Sequence, residues 1–427
     1  MGAITRRHPS YVQDRGGEKT RRHGPDYLLL ILTLILTAIG VVVVYSISPA
    51  LEVEKGVDGN QYVLRQLIAV VVGLVIFGIT ASVPMERWKQ LYKPLLIIAA
   101  VATLVTLILP VNAQYPAHRW IRLAGFSFQS VELLKFAGIM WLSGFLVWRM
   151  KNGMMASMHK TLKPLFIVFV ACGFVVAGLQ SDLGSFGVIV AIMGVMSYVA
   201  GLPMKKLLIG GGVIVIALIL AISTTPYRRD RLTAFLHPES DCLTTGYQAC
   251  QALIAVGSGG MVGLGLGRSV QAYGYLPEAE NDSIFAIYAE KFGFLGVTVL
   301  IGLFAAFFTR MKRIAERAPD DFSRLIVMGI LVWLSAQTVI NIGAMIGLLP
   351  LKGITLPLVS YGGSSVLMVM AALGVVFQVS RHTLYGIPTA AEDNSNSSDS
   401  NGGAGYDNRR DGRRVRGAYH PVPGRRL

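Results

Sequence analysis

The chain has 427 residues, of which 53% are hydrophobic and only 15% charged, and its mean hydropathy is +0.55. Soluble domains carry about a quarter charged residues, so this deficit excludes an ordinary water-soluble globule and makes lipid the solvent for much of the surface. The net charge of +15 does not point to nucleic acid, because the bases sit in the two tails and in short loops between apolar runs, as in proteins oriented in a membrane.

Residues 1–26 form a basic tail. The run that follows, 27–47, is of bilayer length, longer than the apolar core of a cleavable leader, and reads as a signal anchor. Further apolar segments lie at 62–83, 94–111, 131–148, 164–180, 184–203, 207–225, 283–309, 325–348 and 354–380. Each is near the ~20 residues that cross ~30 Å of hydrocarbon. A helix is the only open-ended way to satisfy a backbone in lipid, so the pattern predicts an all-α polytopic membrane protein with about ten transmembrane helices. Segments 164–180 and 184–203 are separated by Ser181-Asp182-Leu183 alone, which also suits one broken hairpin.

Alternate loops hold Arg87, Lys89 and Lys93; Arg149, Lys151, Lys160 and Lys163; Lys205 and Lys206; and Arg310, Lys312, Arg313, Arg317 and Arg324. The positive-inside rule makes these loops and both termini cytoplasmic. The remaining loops are then extracytoplasmic. Most are short, but residues 226–282, between the seventh and eighth helices, form a long one of the kind that carries function. The transmembrane domain covers 27–383. From 384 to 427 the chain turns Ser/Asn/Asp-rich and then Arg-rich, a disordered tail that is either simply solvated and drawn to lipid or a docking peptide.

Charges at membrane depth are costly and therefore mark function. Glu132 and Lys135, at i,i+3 near the start of the fourth helix, share a face. They read either as an ion pair that orients helices or as a source of positive charge in a cavity. Asp182 stands at the N-cap position of the sixth helix. Asp282 stands where the long loop becomes the eighth helix, after the constrained run Tyr275-Leu276-Pro277-Glu278. A cap and a site residue are both open readings for it. Arg119, Arg122, Arg228, Arg229, Arg231 and Lys352 fall on the outer side, against the orienting trend. Guanidinium forks suit phosphate oxygens; the plainer reading is headgroup contact and snorkelling.

Two glycine-rich stretches stand out. Gly257-Ser258-Gly259-Gly260, continuing to Gly267, permits close backbone approach to a ligand but lacks the Gly-Lys-Ser/Thr of a P-loop. Ser360-Tyr361-Gly362-Gly363-Ser364-Ser365 suits a site or helix contacts equally. Cys172 lies in an apolar run, whereas Cys242 and Cys250 lie in the long loop and can form a disulfide if that side is oxidising. There is no CxxC pair, so a zinc site is not expected.

Several of these stretches occur in one order: Arg119-Trp120-Ile121, Gln129…Glu132-Leu133…Lys135, Asp182-Leu183-Gly184, Arg231-Leu232-Thr233-Ala234-Phe235, Gly246-Tyr247-Gln248, Gly257-Ser258-Gly259-Gly260, Tyr275-Leu276-Pro277-Glu278…Asp282 and Leu356-Pro357-Leu358-Val359-Ser360-Tyr361-Gly362-Gly363-Ser364. Together they resemble the SEDS family (shape, elongation, division and sporulation) of polytopic peptidoglycan glycosyltransferases, over about residues 27–383. Gly265-Leu266-Gly267-Arg268-Ser269-Val270-Gln271 followed by Tyr275-Leu276-Pro277-Glu278-Ala279 is similar to the cell-division (FtsW) branch more than to the elongation (RodA) branch. The chain departs from the family at Glu280-Asn281, usually His-Thr; at Ser130-Val131, usually Pro-Ser; at Ser181, usually Pro; and at Lys291, usually an acid.

The resemblance implies polymerisation of lipid II into β-1,4 glycan at the outer face of a bacterial cytoplasmic membrane, at the division septum. A sugar hydroxyl attacks an anomeric carbon carried on undecaprenyl pyrophosphate. Asp282 is then the base or the carboxylate that organises a metal, Mg2+ or Mn2+, which the resemblance alone implies. Arg119, Arg122, Glu132, Lys135, Arg231 and Lys352 serve the pyrophosphate, and Asp182, Gly259, Gly260, Pro277, Glu278, Ser360, Gly362 and Gly363 shape the cavity. The implied partners are a class B penicillin-binding protein, other division proteins and membrane lipids. The rival readings are a lipid II flippase and a non-catalytic division scaffold.

Overall fold

A computed structural model of the chain describes residues 21–22, 24–56, 58–109, 119–123, 126–155, 157–223, 233, 235, 242–244 and 246–383. Every expected apolar run contains a helix there. The first seven spans are α1 (Tyr27–Lys55), α2 (Gly59–Ser82), α3 (Met85–Ile108), α4 (Ser130–Lys151), α5 (Met158–Leu179), α6 (Leu183–Val199) and α7 (Met204–Ser223). After the short α8 (Tyr247–Ser258) come α9 (Ile284–Glu316), α10 (Asp321–Met345) and α11 (Gly363–Ser380). Among the described residues eight helices are long and apolar enough to cross a bilayer, and α6 is a shorter apolar helix. The chain is an all-α polytopic membrane protein.

Local chemistry sets the helix starts. Asp26, Asp58, Asp182 and Asp320 precede α1, α2, α6 and α10, and each carboxylate accepts a backbone N–H of the first turn. α1 and α3 outrun the apolar segments that announced them, since polar residues at the interface continue the helical hydrogen bonding; Pro49 and Pro94 are absorbed inside. α11 is the central helix, with 83% of its apolar window buried, whereas α5 has 11% buried and turns most of its surface outward to lipid.

The structure departs from the expected elements in four places. The run 164–203 is two helices, as drawn, but the first is not regular: α5 ends in a π-wound turn, Gly173–Leu179, and the chain reverses at Ser181 (φ +53). The eighth apolar run is broken at Gly293, at φ +63 and ψ −166. Backbone groups around the break are satisfied by the glycine-rich loop: Phe294 and Leu295 N–H donate to the Gly260 and Met261 carbonyls at 2.9 and 3.1 Å. Leu264 and Gly265 N–H donate in turn to Glu290 and Lys291 carbonyls at 2.9 and 3.0 Å. Such repair is what permits irregular backbone near lipid. The last run becomes helical only at Gly363, and 349–362 is an ordered non-helical segment.

The fourth departure is strand. β1 (Arg21–Arg22), β2 (Trp120–Leu123), β3 (Phe126–Gln129) and β4 (His382–Thr383) are short. β2 and β3 form an antiparallel hairpin with Trp120 opposite Gln129, and β1 pairs with β4. Residues 119–123, 126–129, 180–182, 246–283 and 349–362 converge at one end of the bundle, the loop face. At the opposite end Arg310 pairs with Asp26 and Lys89 with Asp320, each at 2.5 Å.

Candidate functional site

Asp282 lies at the loop face, immediately before α9. It does not cap the helix: Ser283 holds the N-cap position, and its hydroxyl donates instead to the Pro277 carbonyl at 2.8 Å. Pro277 and Glu278 build the turn beneath. Glu278 has φ +52, its carbonyl accepts the Asn281 and Ser283 N–H groups, and its carboxylate accepts the Asn281 amide at 2.5 Å.

Three other elements hold the backbone of 280–283. From α10, the Asn341 side-chain amide donates to the Asp282 and Ile354 carbonyls at 2.7 and 2.8 Å. From the segment before α11, the Ser360 hydroxyl donates to the Asn281 carbonyl at 2.6 Å and accepts the Leu356 N–H at 2.8 Å. The Tyr361 N–H donates to the Glu280 carbonyl at 2.9 Å. From α8, the Gln248 amide donates to the Ser283 hydroxyl at 3.2 Å. Burial pushes the Tyr361 phenol up, and the Arg65 guanidinium beside it pulls the other way.

Arg119 reaches the same place from the other side. Its Nε and Nη2 donate to the Gln180 and Ser181 carbonyls at 3.0 and 2.5 Å, which aims Nη1 across the loop face. Gln180 is itself held, its amide donating to the Thr106 hydroxyl at 2.7 Å. The left-handed φ of Ser181 is closed to proline, so the departure from the usual residue goes with the turn that presents this carbonyl. Asp282 Oδ2 and Arg119 Nη1 lie 3.7 and 3.9 Å from the point that a Cβ on Gly353 would occupy. Both side chains are half-buried, and the carboxylate and the guanidinium each border the same exposed backbone position. Lys352 adjoins them, with its Cβ packed at the position of Gly184 on α6.

The other candidate residues distribute as follows. Asp182 is the cap of α6, accepting from Ser185 N–H at 3.0 Å, from the Ser185 hydroxyl at 2.8 Å and from the Gln129 amide at 3.5 Å. Glu132 and Lys135 form a buried ion pair at 2.7 Å, with the ammonium 5.2 Å from the Trp333 ring centroid. Glu132 Oε2 has no hydrogen-bond partner among the described residues. The pair sits in the first turns of α4. A Cβ on Gly259 would strike the Ala289 carbonyl, and Gly260 carries φ +52 and accepts from Phe294; these glycines seat the loop on the broken α9. Gly362 and Gly363 begin α11. Arg122 lies on β2 opposite Ser127, but its side chain, like the whole of Arg228, Arg229 and Arg231, lies outside the described residues. Cys242 and Cys250 are joined by a disulfide that ties the loop to α8.

Gln129 and Gln248 stand within the family motifs, but sequence reasoning assigned no role to them or to Gln180, Asn341 and Glu290. The signal was present for Asn341 and Glu290, polar residues within apolar runs. Glu290 accepts from the Ser269 hydroxyl and from Val270 and Gln271 N–H at 2.9 and 3.2 Å. Lys291 donates to the Ser46 and Leu266 carbonyls at 3.2 and 2.8 Å, so it clamps α1 to the glycine-rich loop.

A bundle of membrane-length apolar helices with a carboxylate and a guanidinium presented at one end is a polytopic membrane protein with a polar site at the end of its bundle. The chain belongs to the FtsW/RodA/SpoVE family of cell cycle proteins, whose profile matches residues 26–385. It is 38% identical over 368 residues to stage V sporulation protein E of Bacillus subtilis, covering 86% of this chain and all of that protein. It is 37% identical over 370 residues to a probable peptidoglycan glycosyltransferase FtsW of a Thioalkalivibrio species, covering 84% and 90%. Among solved structures, a chain from a peptidoglycan synthase complex that coordinates polymerisation and crosslinking superposes with a TM-score of 0.69 at 27% identity, covering 84% of this chain and 98% of that one. The rod shape determining protein RodA of Thermus thermophilus gives 0.59 at 25% identity, covering 84% and 97%.

Proposed function

We propose that this chain is a peptidoglycan glycosyltransferase that polymerises lipid II, with Asp282 as general base. The observation that carries the assignment is the meeting of Asp282 and Arg119 over Gly353, in a chain of this family.

The chemistry needs two things. A hydroxyl nucleophile needs a base, worth about 10²–10⁴ in rate. A departing diphosphate needs fixed positive charge. In the proposed step the acceptor's 4-hydroxyl gives its proton to the Asp282 carboxylate. Its oxygen forms the new bond to the donor's anomeric carbon, the bond from that carbon to the diphosphate breaks, and the diphosphate leaves with the electron pair. Attack from the opposite side inverts the centre. Arg119, and Lys352 beside it, face the leaving oxygens. The diphosphate is a good leaving group, so the second carboxylic acid of ordinary glycosidases is not required.

Among the described residues no three His, Cys, Asp or Glu converge to hold a metal. A lone carboxylate supplies one or two of the six oxygens that Mg2+ takes. Among the described residues there is no all-protein cage; Asp282 would hold such an ion together with the substrate diphosphate and waters, where it would offset the charge of the leaving group.

The loop face is assigned to the outside of the cytoplasmic membrane, at the division septum, with both termini in the cytoplasm. The bases at the opposite end and the disulfide in the loop support this orientation. The proposed partner is a class B penicillin-binding protein, which crosslinks the strands. Purified protein with that partner, given lipid II, tests the reading. Glycan strands from the parent and none from Asp282→Ala support it. Leaflet exchange of lipid II without polymer would mean a flippase, and neither activity from the complete complex would mean a scaffold.

A further inference from the structure

Gly353 is a glycine that neither backbone geometry nor packing requires. Some glycines of the loop face stand where a side chain does not fit: a Cβ on Gly263 would run into the Lys291 carbonyl, and Gly293 is left-handed at φ +63; others, such as Gly257 and Gly267, meet nothing within 4 Å among the described residues, and Gly353 differs from these in what it faces. Gly353 is not among the residues with positive φ. The Ile354 N–H donates to the Lys352 carbonyl at 2.6 Å, which closes a three-residue turn around it. With negative φ such a turn is open to any residue. A Cβ there would clash with nothing among the described residues. Its neighbours within 4 Å are Asp282 Oδ2 at 3.7 Å and Arg119 Nη1 at 3.9 Å, which is ordinary contact. What a side chain would do is fill the corner where these two groups meet.

That corner is open and rigid. Gly353 is exposed, while Asp282 and Arg119 are half-buried. Asn341 clamps the Asp282 and Ile354 carbonyls together, so the carboxylate and the turn keep one spacing. Arg119 is fixed by the Gln180 and Ser181 carbonyls. A carboxylate that accepts hydrogen bonds and a guanidinium that only donates them, over a bare Cα, match the edge of a sugar ring. One oxygen there must give a proton and its neighbours can accept.

We propose that the absent side chain at Gly353 is a specificity device: it leaves room for the acceptor sugar to lay its hydroxyl-bearing edge against Asp282 and Arg119. This rests on the glycosyltransferase reading above. The wall tolerates a methyl group by packing but the substrate does not, because the methyl displaces the ring by more than an ångström from the base. Such a displacement costs about 10²-fold in rate.

The test compares Gly353→Ala, Gly353→Val and Asp282→Asn, each in the complete complex with its penicillin-binding protein and given lipid II. Polymerisation rate against lipid II concentration and thermal midpoint are both read. The expected result is a loss of about 10²-fold in kcat/KM for alanine, a larger loss for valine, and unchanged thermal midpoints. Near-parental rates from both glycine variants beside an inactive Asp282→Asn would overturn the slot and leave the enzyme assignment standing. Loss of activity matched by a lowered midpoint would overturn it as well, since it would mark Gly353 as a packing residue. An active Asp282→Asn would remove the base assignment, and the slot with it.

Discussion

Asn341 donates from one side-chain amide to two backbone carbonyls, Asp282 at 2.7 Å and Ile354 at 2.8 Å. These carbonyls belong to segments far apart in the chain, and the amide sets the distance between the carboxylate and the turn that faces it. Asn341→Asp replaces the donor with a carboxylate opposite two carbonyl oxygens. Leaving buried acceptors unsatisfied costs about 1–3 kcal/mol each, and an added buried charge costs more. Asn341→Asp is expected to lower the thermal midpoint and to reduce glycan synthesis at least as much as Asn341→Leu, which removes the donor without adding charge. Equal activity of both variants to the parent would show that the clamp does not position the site.

Asp282→Asn keeps the size of the side chain and removes the base. Because Ser283 rather than Asp282 stands at the N-cap of α9, the substitution removes no helix cap. The expected outcome is a fall of about 10²–10⁴ in polymerisation rate with the thermal midpoint retained. Glycan chain assays on the variant complex, beside a melting curve, check both halves.

The spans were legible because lipid leaves an apolar run no alternative to a helix. Hydropathy did not reveal the break in α9, since it reads composition and the run passes through Gly293 unchanged. The clue lay in a different stretch, the glycines at 257–267, whose need for close approach is met by backbone rather than ligand. The β2–β3 hairpin had its own signal: Ile121 and Leu123, then Phe126 and Phe128, alternate with Arg122 and Ser127 on either side of a glycine at 125. Asp282 and Arg119 were each singled out as charges at the outer boundary, and the resemblance gave them their roles. Their meeting over Gly353 was not legible, because it depends on how three loops from different helix pairs pack.

The disulfide gives a redox prediction. It fixes Cys250, in the first turn of α8, to Cys242, and the same turn carries Gln248, which holds the Ser283 hydroxyl at 3.2 Å. Closing a short loop stabilises by about 2–3 kcal/mol in the chain-entropy account. Reduction, or Cys242→Ser with Cys250→Ser, is expected to lower the thermal midpoint and to reduce polymerisation several-fold, less than Asp282→Asn does. Thiol labelling of the unfolded, unreduced protein should report Cys172 alone. Three labelled cysteines without reductant would show that the bond does not form.

Asp320 supplies a pH dependence at the opposite end of the bundle. Burial alone would raise its carboxyl, but the hydrogen bonds from the Lys89 ammonium at 2.5 Å and from Ser323 outweigh it and hold the group below the usual carboxylate range. The folded state therefore binds this proton less readily than the unfolded chain does. The stability it contributes is fully present above the unfolded value, near pH 4, and is lost as pH falls through the lower folded value. The side chain is 39% exposed, so salt screens the pair and the contribution is small. Asp320→Asn removes both the pairing and the titration. Thermal midpoints of the parent and this variant should differ at neutral pH and converge as the pH drops below about 4; a constant difference across that range would show that the carboxylate's charge contributes nothing.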